Sequence, residues 1–176
     1  MILPLSYYGS AVLRKKAKPV EKVTDELKKL CEDMVETMDQ NHGIGIAAPQ
    51  VGVSLRLFVL RNYVILEDGE MQLTHPQVYI NPKITIHGED SEVDVEGCLS
   101  IPGIREDVER PLKLTVEATD LTGGVFVEEV EGYKARVILH ENDHINGVLF
   151  IDRIDPKIRK QLDPELRAIK KAHPAK

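Results

Sequence analysis

The feature that most constrains the fold of this chain is a series of short predicted β-strands joined by short connections. Between about residues 55 and 130, apolar and β-branched residues recur in short alternating runs, which turn signals such as Asn81-Pro82 and Thr122-Gly123-Gly124 separate. The connections are too short for the crossovers that parallel strands need, so the sheets should be mainly antiparallel. The predicted strands are 57–61, 77–80, 83–87, 112–119 and 125–130.

Helical patterns flank this region. Thr24 is a good N-cap, and the apolar residues after it recur at helical spacing to about residue 42, where Gly43 can end the helix. A second helix is predicted at about 131–145, with Gly147 as its stop. Asp-Pro pairs at 155–156 and 163–164 predict two short C-terminal helices or one kinked helix.

The order of these elements predicts an α+β fold: mainly antiparallel β-sheets around a central helix, with an N-terminal helix and a C-terminal helix. A chain of 176 residues can bury an adequate core as one domain without disulfide bonds. We therefore expect a single domain over 1–176, in which residues 156–176 form a helical tail.

Composition excludes several classes of protein. The net charge of −6 argues against a general nucleic-acid coat. No apolar run approaches the ~18 residues that a membrane span needs, and the first residues lack the pattern of a signal peptide. The two cysteines, Cys31 and Cys98, suit a reducing compartment. We expect a cytoplasmic chain.

The segment His140-Glu141-Asn142-Asp143-His144 has the pattern H-E-x-x-H. On a helix, His140 and His144 lie one turn apart on one face, so both imidazoles can reach one metal ion. Glu141 then lies beside the water that the metal binds, where a carboxylate can accept a proton and later return it. The alternative is a pair of surface histidines, but the full pattern favours a metal site.

A third protein ligand is needed if the fourth position is open to water. Downstream of the motif there is no Glu or His at the usual short spacing. Upstream, Cys98 lies in Glu96-Gly97-Cys98-Leu99-Ser100, and its flanking glycine and the Pro102-Gly103 turn favour a thiolate ligand at a strand end. The alternative for Cys98 is a buried packing role, which is the prediction for Cys31 on the first helix.

A third segment, Gly43-Ile44-Gly45-Ile46-Ala47-Ala48-Pro49-Gln50, follows a helix rather than preceding one, so it is not a phosphate loop. With the segments 96–100 and 140–144 it completes three motifs, which read G-x-G-x-A-A-x-Q, E-G-C-L-S and H-E-x-x-D-H. In these motifs and in their order, the chain resembles the bacterial and organellar peptide deformylases over nearly its whole length.

The resemblance implies a metal-dependent hydrolase that removes the N-formyl group from the N-terminal formyl-methionine of newly made proteins and releases formate. Cys98, His140 and His144 would bind one divalent metal ion. That ion is most often Fe²⁺ in this family, with Zn²⁺, Ni²⁺ or Co²⁺ able to occupy the site. Glu141 would act as the general base and then as the acid.

The resemblance also implies an extended peptide that lies against a strand edge. The backbone N–H of Leu99 and the side-chain amide of Gln50 would hold the oxyanion. The residues implied in substrate binding are Ile44, Gly45, Gly97, Arg105, Tyr133 and Val137.

The resemblance also bears on three further residues. Arg110 is expected to clamp Glu96 near the metal. Asp143 should either form a structural ion pair or orient a ligand imidazole. Leu139 departs from the family, which more often has a polar residue before the first ligand histidine.

Two other functions fit parts of the pattern. A non-catalytic module could use zinc only to hold its fold, but structural zinc sites have four protein ligands and this chain offers three good ones. An endopeptidase of the zincin type would share the chemistry, but it lacks the downstream ligand and a second lobe. Replacing Glu141 by Gln separates an enzyme, which would lose activity, from a structural zinc site.

Charge is concentrated at the end of the chain. Residues 156–176 carry a net charge of +5, and the other residues carry −11. Basic residues suit a solvated helix end, but a basic helix on an acidic body can also bind a polyanion. The expected partners are nascent formyl-methionyl peptides and, weakly through this tail, the ribosome. No membrane and no specific nucleic-acid sequence is expected, and the implied location is the bacterial cytosol.

Overall fold

Antiparallel pairing dominates this computed structural model, which describes residues 1–175. The predicted α+β class, with antiparallel sheets around a central helix, is confirmed. The helices are α1 (Asp25–Gln40), α2 (Tyr133–Ile145), α3 (Pro156–Gln161) and α4 (Asp163–Ala172). The strands are β1 (Gly45–Ala47), β2 (Leu57–Leu60), β3 (Tyr63–Ile65), β4 (Met71–Leu73), β5 (Gln77–Ile86), β6 (Ser91–Cys98), β7 (Ile101–Pro111), β8 (Lys113–Thr119) and β9 (Val125–Glu131).

Five strands form one sheet in the order β1-β2-β5-β8-β9, which leaves β1 at an edge. Strands β6 and β7 form a separate hairpin, and β3 and β4 form another. An edge strand carries a row of backbone groups that no neighbouring strand uses. The edge at β1 matters below because it faces the candidate site.

Apolar clusters attach each helix to these sheets. Helix α2 packs through Ile138 against Phe58 and Tyr79 of the large sheet. Helix α1 packs through its buried methionines against Leu57 and Val59 of β2. The tail helices pack on the β6–β7 hairpin and on the N-terminal segment, and their buried residues are Leu162, Leu166 and Ile169.

The helix ends follow the predicted signals with two differences. Thr24 caps α1 by accepting a hydrogen bond from Leu27 N–H at 3.2 Å. The left-handed residue at the other end is His42, with φ of 57°, rather than Gly43. Helix α2 begins at Tyr133 instead of Glu131, because Glu131 still pairs with Lys113 in the sheet.

The strand predictions were incomplete. Segments 77–80 and 83–87 are one strand, β5, whose register shifts between Ile80 and Lys83, beside Asn81 with φ of +50°. Strands β1, β3, β4, β6 and β7 were not predicted, although β6 and β7 form the longest hairpin.

The tail consists of two helices. Asp155 caps α3 through a 2.7 Å hydrogen bond from Lys157 N–H, as predicted. At the second Asp-Pro pair, the Asp163 carboxylate instead accepts a 2.7 Å hydrogen bond from Arg159. Lys176, the last residue of the predicted tail, lies outside the described residues. Within residues 1–175, no helix combines the length and the apolar character that crossing a membrane requires.

Candidate metal centre

Strand β6 and helix α2 bring three metal-ligand side chains together. Cys98 ends β6, and His140 and His144 lie one turn apart on α2. One donor atom from each of the three lies within 4.8 Å of the others, and Cys98 Sγ is 3.3 Å from His144 Nε2. The structure thus assembles the Cys-His-His set that the sequence predicts.

Glu96 orients one of the two imidazoles. Its Oε1 lies 2.8 Å from His140 Nδ1, so the other ring nitrogen, Nε2, is the one left for a metal. Burial alone would raise the pKa of Glu96, but hydrogen bonds from Arg110 and His140 outweigh it and hold that pKa well below its ordinary value. Glu96 is therefore an ionised acceptor.

A buried network of charged side chains surrounds Glu96. Arg110 donates to both of its carboxylate oxygens, at 2.9 and 2.8 Å, which confirms the predicted clamp. Arg136 adds a third hydrogen bond to Glu96 at 2.7 Å. Asp143 accepts from Arg110 at 2.7 Å and from Arg153 at 2.6 and 2.8 Å. Asp143 is thus part of an ion-pair network, which settles the choice between its two expected roles.

The chemistry of this donor set fits a divalent transition metal. A thiolate and two imidazoles suit borderline metals, and three protein ligands leave a position open. Burial lowers the pKa of His144 well below its ordinary value, which keeps the imidazole neutral, as a ligand must be. The site is a metal site of Cys98, His140 and His144.

Glu141 projects its carboxylate beside this site. The side chain is buried, and its Oε2 has no hydrogen-bond partner among the residues that the structure describes. Burial raises its pKa to about 7, although the nearby charge of His140 lowers it. A buried carboxylate oxygen without a partner is costly unless a ligand or water satisfies it. Glu141 Oε2 is therefore the atom that a water or a ligand in the cavity would satisfy.

Gly45 is a glycine because of Glu141. A Cβ at Gly45 would lie 2.7 Å from Glu141 Oε1 and 3.1 Å from its Cγ and Cδ. The resemblance places Gly45 among the residues that bind substrate, and in the structure its missing side chain makes room for the Glu141 carboxylate.

Two potential donors adjoin Cys98. The buried amide of Gln50 accepts from Ala47 N–H at 2.9 Å and donates to Ser100 Oγ at 3.1 Å, and its Nε2 also lies 3.4 Å from Cys98 Sγ. Leu99 follows Cys98 directly, and within residues 1–175 its N–H donates to no other backbone group. The Leu99 N–H is therefore available near the metal ligands, and the Gln50 amide lies beside them with its two hydrogens directed at Ser100 Oγ and Cys98 Sγ.

A cavity of about 660 Å³ opens onto these residues. Cys98, His140 and Glu141 line it. All the residues that the sequence analysis expects to bind substrate line the same cavity: Ile44, Gly45, Gly97, Arg105, Tyr133 and Val137. Leu139 instead packs half-buried against the core cluster of α2.

Edge strands bound the cavity on two sides. Residues of β1 and of β6 both line it, and each is an edge of its sheet. Ile44 C=O accepts a hydrogen bond from Arg61 N–H on the β2 side at 2.9 Å. Because backbone groups alternate along a strand, the N–H and C=O of Gly45 point the other way, to the free edge.

Sequence reasoning missed four side chains at this site. Arg136 is buried against Glu96 with no sequence signal, since a lone arginine on a helix is usually solvated. Tyr63, Tyr7 and His173 line the cavity from segments distant in sequence. Of the tyrosines that line the cavity among residues 1–175, Tyr133, whose ring lies 6.1 Å from that of Tyr63, was the one expected there.

Comparisons with known proteins agree with this geometry. A family model described as polypeptide deformylase matches residues 2–160. A peptide deformylase of Cytophaga hutchinsonii is 43% identical over 171 residues, which cover 97% of this chain and 92% of that protein. One of Thermotoga maritima is 45% identical over 168 residues, or 93% of this chain and 96% of that protein. The crystal structure of peptide deformylase from Thermus thermophilus is 42% identical, with a TM-score of 0.86 over 98% of this chain and 99% of that chain.

Proposed function

This chain belongs to the peptide deformylase family, and on that premise we propose which of its residues carry each part of the reaction. It is a metallohydrolase that removes the N-formyl group from formylated nascent peptides. The observation that carries the residue assignments is that Glu141, whose Oε2 has no partner among the described residues, lines one cavity together with Gln50 and the metal ligands Cys98 and His140.

The peptide binds extended between the edges of β1 and β6. The backbone N–H and C=O of Gly45 face that space, and Gly97 lies opposite on β6 without a side chain to obstruct it. The methionine side chain enters the apolar surface of Ile44, Tyr133 and Val137. Arg105, which is exposed and pairs with Gly97 in register, lines the same space.

The chain's own groups move the proton and hold the charge. Cys98, His140 and His144 would hold a divalent metal ion, which would supply Lewis-acid chemistry at this end of the cavity. Glu141 Oε2 accepts the proton of the attacking water and then delivers it to the departing amine nitrogen. The N–H groups of Gln50 and Leu99 donate to the developing oxyanion of the formyl group.

Formate release tests this assignment. We expect the parent chain to release formate from a formyl-methionyl peptide, and Glu141→Gln to lose about 10²-fold or more in kcat with its metal retained. Glu129→Gln, which neutralises an exposed carboxylate on β9, is the matched control and should keep full activity. A Glu141→Gln variant with unchanged kcat would refute the role of Glu141 and favour a structural metal site.

The metal is Fe²⁺ in the cell, with Zn²⁺, Ni²⁺ or Co²⁺ able to replace it. A thiolate beside two imidazoles accepts any of these ions, so the choice of Fe²⁺ follows from the family resemblance alone. Anaerobically purified protein should hold one iron per chain and lose activity in air, because Fe²⁺ and an accessible thiolate both oxidise. Cys98→Ser and His144→Ala should each lose the metal; stoichiometric metal in either variant contradicts the ligand set.

The basic tail supports a weak association with the ribosome, in the bacterial cytosol where formylated nascent peptides arise. Five of its cations are exposed in the structure: Lys157, Lys160, Arg167, Lys170 and Lys171. The opposite face of α4 is buried through Leu166 and Ile169, so the cations lie on the outward side. Such a surface binds RNA phosphate with a strong dependence on salt.

Co-sedimentation with ribosomes at low and high salt tests this association. Truncation at residue 155 would remove three buried core residues, so charge-neutralised full-length protein is the better probe. We expect the quadruple variant Lys157→Gln, Lys160→Gln, Arg167→Gln, Lys171→Gln to pellet less than the parent at low salt. Equal pelleting, or none by either protein, refutes the association and leaves the enzymatic assignment intact.

A further inference from the structure

An aromatic pair from the two ends of the chain lines the cavity. Tyr7 lies in the N-terminal segment, and His173 follows the last residue of α4. Their rings stack with centroids 3.6 Å apart and planes 16° from parallel, and both residues line the cavity that holds Glu141. Neither residue takes part in the metal site or in the reaction steps assigned above.

The surrounding contacts hold this pair in place. Tyr8, next to Tyr7, donates its backbone N–H to Ser100 C=O at 2.9 Å, two residues after the ligand Cys98. The Lys170 ammonium lies 5.1 Å from the Tyr8 ring centroid, and Arg159 donates to the Tyr8 hydroxyl at 3.3 Å. The tail is thus tied to the N-terminal segment through Lys170 on α4 and Arg159 on α3, next to the stacked pair in the cavity wall.

The cavity extends from the reacting centre along the chain toward this pair. Gly45 lies against Glu141, and the residues that precede it, back to Asn41, all line the cavity. Leu99 packs closely on Gly43, since a Cβ there would lie 2.9 Å from Leu99 Cδ1. Leu5, two residues before Tyr7, belongs to the same apolar cluster as Leu99 and also lines the cavity.

The apolar surface proposed for the methionine side chain is formed by other elements of the fold than the Tyr7–His173 pair. Tyr133 and Val137 lie on α2, whereas Leu5, Tyr7 and His173 come from the chain ends. The first side chain of a bound peptide would contact α2, and its backbone would follow β1 past Gly43. Its later residues therefore meet the part of the cavity wall that Leu5, Tyr7 and His173 form, here called the chain-end wall. That wall is apolar and aromatic, and Pro102 adds to it.

We propose that Tyr7 and His173 form a specificity subsite for an apolar or aromatic side chain of the formylated peptide beyond its second residue. This inference rests on the proposed function, because it assumes that the peptide lies along β1. It gives the end of α4 a direct part in substrate recognition. Stacking on an aromatic surface supplies the attraction.

Peptides of different length test the subsite. KM and kcat are measured for formyl-Met-Ala, which is too short to reach the pair, and for formyl-Met-Ala-Phe-Ala. His173→Ala should raise KM for the tetrapeptide about threefold to tenfold with kcat unchanged, and should leave both constants for the dipeptide unchanged. His173→Phe, which keeps an aromatic ring, should retain the low KM.

Glu165→Ala is the matched control, because Glu165 is exposed on the same helix and does not line the cavity. It should behave as the parent chain on both peptides. An equal change for both peptides in His173→Ala, or no change for either, overturns the subsite while the formyl-methionyl activity stands. Absence of formate release by the parent chain from both peptides would instead overturn the proposed function.

Discussion

Replacing Gly45 by alanine should disable the chain without unfolding it. The new Cβ would lie 2.7 Å from Glu141 Oε1 and 3.1 Å from Cγ and Cδ, so the carboxylate must retreat by roughly 0.5–1 Å to reach ordinary van der Waals separation. A misplacement of about 1 Å can cost about 10²-fold in rate. We therefore expect kcat to fall by about 10²-fold.

Stability should change little in the same variant. Gly45 does not have a positive φ, so alanine can adopt its backbone conformation without strain. Alanine also restricts the unfolded chain, which stabilises by about 0.4–1 kcal/mol and offsets part of the contact strain. Metal content, and Tm by differential scanning calorimetry, should stay close to those of the parent chain.

The matched control is Gly124→Ala. A Cβ at Gly124 would meet its nearest atom, Thr122 Oγ1, at 3.4 Å, and this glycine also lacks a positive φ. The control should keep full activity. In a Glu141→Ala background the contact no longer exists, so adding Gly45→Ala should not lower the residual rate further. A further 10²-fold loss there, or a single variant with kcat within twofold of the parent, would refute the reasoning.

Three other substitutions test the surroundings of the site. Arg110→Ala removes the cation that Glu96 and Asp143 share and leaves these carboxylates with Arg136 and Arg153, so the free energy of unfolding, measured in urea, should fall by about 1.5–3 kcal/mol; a loss below 1 kcal/mol contradicts a fully buried clamp. Gln50→Glu keeps the acceptor for Ala47 but removes the amide donor, so kcat should fall by about 10² or more while the metal stays bound. Burial and the Glu128 carboxylate raise the pKa of Tyr79 far above 10. Above pH 10 the tyrosine of the unfolded chain loses its proton while Tyr79 of the folded chain keeps it. The free energy of unfolding therefore falls above pH 10, by up to about 1.4 kcal/mol per pH unit. Unfolding curves between pH 9 and 11.5 should show Tyr79→Phe losing less stability than the parent; parallel losses would exclude Tyr79.

Local signals predicted the helices better than the strands. Thr24 and Asp155 cap their helices as their side-chain chemistry predicts, because a cap depends only on residues within one turn. Strands β6 and β7 escaped prediction because β6 alternates exposed valines with acidic residues, the exposed side of β7 is largely charged, and the hairpin turn follows Cys98 directly. Their pairing depends on the fold rather than on a local pattern.

The predicted site residues were brought together because three motifs specified them, whereas other contributors came from single residues. Arg136 reaches Glu96 from 40 positions away, and Tyr7 meets His173 across nearly the whole chain. The sequence around Arg136, and around Tyr7 and His173, contains no motif that indicates a role at the site. Tyr7 and His173 form part of the cavity wall because the tail packs on the N-terminal segment.

The metal site pairs the E-x-C segment of β6 with the H-x-x-x-H segment of α2. In a strand, residues two apart share a face and lie about 6.6–6.8 Å apart, and in a helix residues four apart lie about 6 Å apart along the axis. Glu96 and Cys98 of β6 therefore match His140 and His144 of α2 in spacing. The contacts follow that match, Glu96 to His140 at 2.8 Å and Cys98 to His144 at 3.3 Å. The spacing of E-x-C against H-x-x-x-H thus matches the contact by which Glu96 orients His140, and the register of β6 with β7 shifts just after it, between Gly97 and Cys98.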